Sequence, residues 1–180
     1  MPGPVFIEGE PVSLRVVERE DVPFLQRWTN HPEIRRYIST FDSPYGQQEY
    51  EDGLFEHFQE TDAGVSLLAC VDGDPVGSAQ LLPIREGTGV ANLAYWVAPP
   101  HTGEGYATAA GRLLVDFGFR ERRIERIEAD TLAPNAGSRR VLEKLGFTHE
   151  GTKRSAAVVD GERVDAEVYG LLREEWEESA

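Results

Sequence analysis

Cysteine and lysine are the residues this chain is short of. Of its 180 residues one is a cysteine, Cys70. A single thiol excludes an internal disulfide and suits a reducing compartment. Cys70 sits in the apolar run Val65 to Val71, where a buried structural thiol is expected rather than a nucleophile. Only Lys144 and Lys153 are lysines; the other basic residues are arginines. Eighteen basic residues against 32 acidic ones leave a net charge of −14. That balance speaks against a nucleic-acid partner, which would want a basic face. No apolar run approaches the roughly 20 residues of a membrane span. The N-terminus lacks the basic and apolar regions of a secretory signal. The expectation is a cytoplasmic protein that binds neither nucleic acid nor membrane. Self-repulsion of so acidic a chain opposes its compact state. High salt, with a Debye length of about 3 Å at 1 M, relieves that repulsion. A halophilic, salt-accumulating source is therefore expected.

The length suits one domain over residues 1–180, with no repeat or linker. Val12, Leu14 and Val16 alternate with Ser13, Arg15 and Val17 as in a strand. Asp21 reads as the cap of a helix with Val22, Leu25 and Trp28 on its apolar face. Asn30-His31-Pro32 breaks it, and Ile34, Tyr37 and Ile38 suggest a short continuation. Ser43-Pro44 reads as a cap with proline at the first helical position, before Tyr50, Leu54, Phe55 and Phe58 at helical spacing. Strands over 65–71 and 76–84 flank the turn Asp72 to Pro75, and a further strand covers 90–97. A long amphipathic helix runs over 105–119, a strand over 126–132, and a short helix from Pro134-Asn135 to Gly146. Strands over 155–159 and 163–172 flank Asp160-Gly161. A strand, a helix and a strand across 90–132 make a βαβ crossover, so those strands should be parallel neighbours. The fold class is α/β (α+β): a mixed, mostly antiparallel sheet with helices on both faces.

Chemistry first shows in the turn His101 to Thr108. Gly103 and Gly105 permit backbone conformations that a Cβ forbids, and the helix that follows offers unpaired N–H groups to a phosphate. No Gly-Lys-Ser/Thr follows, which excludes a Walker loop, and the third glycine of a dinucleotide fingerprint is absent.

The motifs around this turn carry a resemblance. Tyr95-Trp96-Val97-Ala98-Pro99, then Gly103 to Thr108, then Asn135-Ala-Gly-Ser138 and Val141 to Phe147 resemble the GNAT acetyltransferases. The opening Val12 to Asp21, with Trp28 and Asn30-His-Pro-Glu33, and the closing Asp165 to Leu172 resemble its RimJ/RimL-type branch, the N-terminal acetyltransferases of ribosomal proteins. The resemblance implies a GNAT-type fold and acetyl-CoA as co-substrate, with no metal. It implies backbone contacts from Trp96 and Val97 to the pantetheine arm. It also implies a pyrophosphate cradle over Thr102, Gly103, Glu104, Gly105, Tyr106, Ala107 and Thr108, and a hydrogen bond from Asn135 near the thioester. A homodimer is implied by resemblance alone.

Three departures bear on mechanism. Thr102 stands where the family pattern has Gln or Arg, and Glu104 where the related branch often has Lys. Leu142 stands where the family usually carries the Tyr that protonates sulfur, and Ser138 is the substitute the related branch suggests. The usual glutamate before Tyr95-Trp96 is replaced by Asn92, and another carboxylate of the branch, near Ala157, is also absent. Asn92 with a water relay, or else Glu128, Asp130 or Glu150, is left to take the proton. The four histidines have no motif-given role.

An α-amine of pKa about 7.8 costs about 1 kcal/mol to deprotonate at pH 7, and a lysine near 10.4 costs about 4.6 kcal/mol. A site without a strong base thus suits an α-amine or another amine of low pKa. Its binding region is expected between Arg35, Tyr37, Ser39, Thr40 and Phe41 on one side and Ala157, Val158 and Asp165 on the other. The expected activity is acetyl transfer from acetyl-CoA to a protein N-terminus or small amine by direct attack in a ternary complex. The alternatives are a non-catalytic acyl-CoA-binding regulator on the same scaffold and an unrelated α/β nucleotide-binding or scaffold protein.

Overall fold

The computed structural model describes residues 2–38, 44, 46–55 and 64–179. Strands β1 (Val5–Ile7) and β2 (Ser13–Val16) open the chain. A 3-10 turn at Arg19–Asp21 leads into α1 (Val22–Thr29) and α2 (Pro32–Arg35). Helix α3 (Gln47–Glu49) widens into a π turn over Tyr50–Phe55. Then come β3 (Val65–Val71), β4 (Asp74–Arg85), β5 (Val90–Val97), α4 (Tyr106–Glu121), β6 (Arg126–Leu132) and α5 (Ala136–Lys144). Strands β7 (Thr148–Val159) and β8 (Glu162–Leu172) and helix α6 (Arg173–Ser179) close the chain.

The strands form one sheet in the order β1-β2-β3-β4-β5-β6-β8-β7. Among the described residues β5 and β6 are its parallel pair and every other pairing is antiparallel, as the βαβ reading expects. Asp72-Gly73 has φ of 51° and 88°, and Asp160-Gly161 has 51° and 86°. Both pairs therefore make two-residue turns of the kind whose twist matches antiparallel strands. The main core fills the space between the sheet and α4 and α5, with Leu81, Leu114, Phe119, Ile124, Ile127, Leu142 and Leu145 almost fully buried. A second cluster on the other face joins Val17, Val22, Leu25, Tyr50, Leu68 and Cys70. Burial there pushes the Cys70 thiol up to about 11, so it stays protonated and inert.

Local chemistry corrects three of the expected elements and adds a helix that was not expected. Asp21 does not cap α1 with its side chain, because the chain first makes a 3-10 turn. From the third position of that turn Asp21 Oδ2 accepts from the Glu18 N–H at 2.9 Å. Pro44 lies before a helix that begins at Gln47, where the Gly46 carbonyl accepts from the Tyr50 N–H at 2.9 Å; Ser43 and Phe58 lie outside the described residues. Strand β7 starts at Thr148, seven residues before the expected Ser155. Its first half, Thr148 to Arg154, carries no apolar alternation because it is a sheet edge, held by its ladder to β8. Helix α6 was unsignalled: its one large apolar residue, Trp176, is buried and donates from Nε1 to Asp116 Oδ1 at 3.3 Å.

Candidate active site

The site begins where a sheet ladder stops. Strands β5 and β6 pair through Val90↔Arg126, Ala91↔Ile127 and Asn92↔Glu128 and then part. Beyond that point Leu93 to Val97 and Ala129 to Leu132 line the two walls of a cleft of about 950 Å³. An unpaired strand edge presents backbone donors and acceptors that need a partner. The Ala98 N–H donates to the Val76 carbonyl at 2.8 Å, and a Cβ on Gly77 would fall 2.2 Å from the Trp96 carbonyl oxygen. Trp96 therefore turns its carbonyl toward β4, and the alternation of the strand turns Tyr95 and Val97 toward the cleft. The Trp96 ring stacks on Phe24 with centroids 5.8 Å apart.

One end of the cleft is the turn into α4. His101 and Thr102 donate their N–H groups to Ala98 and Pro99, and Thr102 Oγ1 also donates to the Pro99 carbonyl at 2.9 Å. The next N–H to find a carbonyl is that of Ala109, on Gly105 at 3.0 Å. Among the described residues the N–H groups of Gly103, Glu104, Gly105, Tyr106, Ala107 and Thr108 have no acceptor. Gly103 and Gly105 hold φ of 90° and 85°, left-handed values that suit glycine. A row of free N–H groups at the head of a 16-residue helix is an anion site in waiting. Thr102, Gly103, Gly105, Tyr106, Ala107 and Thr108 line the cleft, while the side chain of Glu104 is exposed outside its lining.

Helix α5 forms the adjoining wall. Asn135 is its cap, with Oδ1 accepting from the Ser138 N–H at 3.1 Å. Ser138 faces across to β5, where its Oγ lies 3.0 Å from the Tyr95 phenol oxygen. Burial pushes that phenol up to about 12, against a smaller downward pull from the Ser138 hydrogen bond. Leu142 is buried in the core. Arg140 and Lys144 stand four residues apart along the same lining, and neither has an ion-pair partner among the described residues. Both lysines of the chain thus line the cleft, Lys144 on α5 and Lys153 on β7.

The opposite end holds the carboxylates. Asn92 lies outside the lining, its Oδ1 accepting from Arg85 Nη2 at 3.2 Å. Glu128 is shared between Arg85 at 3.3 Å and Arg126 at 3.1 Å, and Glu150 is paired with Arg126, whose guanidinium holds its carboxyl below the usual range. Of the three acidic candidates only Asp130 lines the cleft, with the Lys153 ammonium on its carboxylate. Glu33 and Tyr37 line the cleft from α2 and the turn after it, and Ala157 from β7. Arg36 on Asp160 at 2.6 Å ties that side to the last hairpin. Val158 is exposed, and Asp165 accepts from the Ser155 N–H at 2.7 Å. Ser39, Thr40 and Phe41 lie outside the described residues. His31 caps α2, His149 pairs with Glu167 at 2.6 Å, His101 lines the cleft, and His57 lies outside the described residues.

Sequence reasoning pointed to the turn, Asn135 and Ser138, and all three line the cleft, with Asn135 there as a helix cap. It missed the phenol of Tyr95 as a partner of Ser138, and Arg140 and Lys144 as cleft cations. The spacing of the last two on a helix was a usable signal; the first depends on a contact between residues 43 positions apart. Among the described residues no helix is long and apolar enough to cross a membrane, and no group of three or more potential metal ligands occurs.

Comparison with known proteins bears on this geometry. Residues 12–148 match the family described as Acetyltransferase (GNAT) domain. The chain is 27% identical to the spermidine N(1)-acetyltransferase of Escherichia coli K12 over 84% of its own length and 80% of that protein. It is 29% identical to the L-amino acid N-acetyltransferase AaaT of the same organism, over 86% and 94%. Among solved structures, Mycobacterium smegmatis RimJ in complex with CoA-disulfide superposes with a TM-score of 0.82 at 25% identity, over 91% of this chain and 83% of that one.

Proposed function

The chain belongs to the GNAT acetyltransferase family and is an acetyl-CoA-dependent N-acetyltransferase, and we propose that its acceptor is a primary amine of low pKa, a protein N-terminal α-amine or a small amine, attacking directly in a ternary complex. The observation that supports this reading is that none of the three carboxylates the sequence offered as a base stands free. Glu128 and Glu150 are bound by arginines, and Asp130, the one of the three in the cleft, holds an ammonium already. With these three carboxylates taken up by ion pairs, an amine near 7.8, which loses its proton for about 1 kcal/mol at pH 7, is favoured over one near 10.4.

The parts then take these roles. The N–H row from Gly103 to Thr108 holds the pyrophosphate, and Arg140 and Lys144 supply the charge that Thr102 and Glu104 do not. The Val97 backbone pairs with the pantetheine arm along the open edge of β5. Asn135 acts through its cap, which fixes the first turn of α5 and with it Ser138. Ser138 gives its proton to the departing sulfur, a step of general acid catalysis. Asn92, held by Arg85 outside the cleft, takes no part, and the ammonium proton leaves by water at the Asp130 end. The excess of acidic groups attracts a cationic acceptor to the molecule.

The test is thiol release from acetyl-CoA with a panel of acceptors at low salt and at about 2 M KCl. Peptides with a free α-amine should react faster than Nα-blocked peptides carrying a lysine, and faster than spermidine. A preference for the strongly basic amines overturns the acceptor reading. Tight acetyl-CoA binding with no thiol release from any acceptor marks a binding protein instead.

A further inference from the structure

We propose that Tyr95 is a positioning residue that works through Ser138: its phenol orients the serine hydroxyl toward the leaving sulfur and resupplies its proton. The proposal rests on the reading of Ser138 as the sulfur acid.

The geometry restricts where protons can sit. The phenol oxygen has two neighbours on one residue, Ser138 Oγ at 3.0 Å and the Ser138 carbonyl at 3.2 Å. The carbonyl can only accept. If the phenol donates to the carbonyl, the serine proton can turn either onto the Tyr95 oxygen or into the cleft. If the phenol donates to Oγ, the serine proton is released toward the cleft. The second arrangement commits the serine proton to the cleft, and Tyr95 creates it. The serine backbone is held meanwhile, because its N–H is on Asn135 Oδ1 at 3.1 Å.

The step balances as follows. The C–S bond of the tetrahedral intermediate breaks and its electron pair goes to sulfur. The serine O–H bond breaks as its proton passes to that sulfur, and the phenol proton passes to Oγ. A phenolate is left, which regains a proton from water through Ser138 once the products leave. A phenol pushed up to about 12 by burial is still far more acidic than a serine hydroxyl, so the negative charge is better placed on Tyr95 than on Oγ. The same upward shift keeps Tyr95 protonated, and so a donor, across neutral pH. Leu142 is buried in the core and brings no acid to this wall.

The measurement is the single-turnover rate of thiol release, with acetyl-CoA and the fastest acceptor of the panel, in mixtures of H₂O and D₂O. With two protons in motion the rate of the unaltered protein should curve with deuterium fraction. Tyr95→Phe should slow the step by about 10²-fold, make that dependence linear and leave acetyl-CoA affinity unchanged. Ser138→Ala should lose at least as much, and the double variant no more than Ser138→Ala. 3-Fluorotyrosine at position 95, which keeps the shape and lowers the phenol pKa, should restore the rate and move the high-pH limb downward. If Tyr95→Phe keeps the full rate, or its loss multiplies with that of Ser138→Ala, the role of Tyr95 is overturned while Ser138 stands. If Ser138→Ala keeps the full rate, the Ser138 reading falls and this inference with it. If Tyr95→Phe does not fold, the fluorinated protein decides: an unmoved pH limb overturns the proposal.

Discussion

Single residues decide whether the cradle works. Gly105 holds φ of 85° at the head of α4, and its position sets the direction of the N–H groups around it. A Cβ there would meet no atom within 4 Å, so the penalty is conformational, not steric crowding. Gly105→Ala should lower stability by roughly 1 kcal/mol, a few degrees in Tm for a chain of this size. It should also weaken acetyl-CoA binding, measured by titration, because relieving the strain re-aims the donors. Unchanged affinity would show that the row of donors does not depend on the left-handed turn. At this scale the sequence was informative wherever a residue type has few uses, as with the two glycines at the head of α4. It was silent about Tyr95, because a tyrosine in a strand next to tryptophan and valine reads equally well as core.

At the scale of elements, α5 is the working part. Its cap, its serine and its two cations all face one cleft, and its Leu142 and Leu145 anchor it to the core. Arg140 and Lys144 are exposed, so each contact to a phosphate should be worth about 1 kcal/mol. Arg140→Ala with Lys144→Ala should therefore raise the Kd for acetyl-CoA by roughly 30-fold. In the double variant affinity should improve as KCl rises, since only repulsion between the acidic molecule and the phosphates remains to be screened. A double variant that binds as tightly as the unaltered chain would remove both cations from the site. Elements with clean periodicity, β3, β5 and β6, have the boundaries that their patterns predict. The early part of β7 and α6 do not, because one is an edge held by backbone pairing and the other is anchored by a single tryptophan.

Over the whole molecule the charge of −14 is the dominant electrostatic fact. Ion pairs such as Arg126 with Glu128 and Glu150 form, but 18 basic residues cannot offset 32 acidic ones. We expect Tm to rise as KCl goes from about 0.1 M to about 2 M, over which range the Debye length falls from about 10 Å to below about 3 Å. A fall in Tm over that range would refute a salt-adapted chain. By itself the sequence determined the βαβ crossover, the glycine turn at the head of α4 and the short helix that Asn135 opens. Each of these depends on short-range chemistry: alternation, positive φ and a side chain reaching its own backbone. What only the tertiary structure decided was which side chains meet across the splay of β5 and β6. Tyr95 reaches Ser138, Arg140 and Lys144 line the cleft with Asp130 and Lys153, and Asn92 is drawn away to Arg85. The physical reason is that a cleft is made where a ladder ends, and its lining comes from segments far apart in the chain, whose meeting no local pattern encodes.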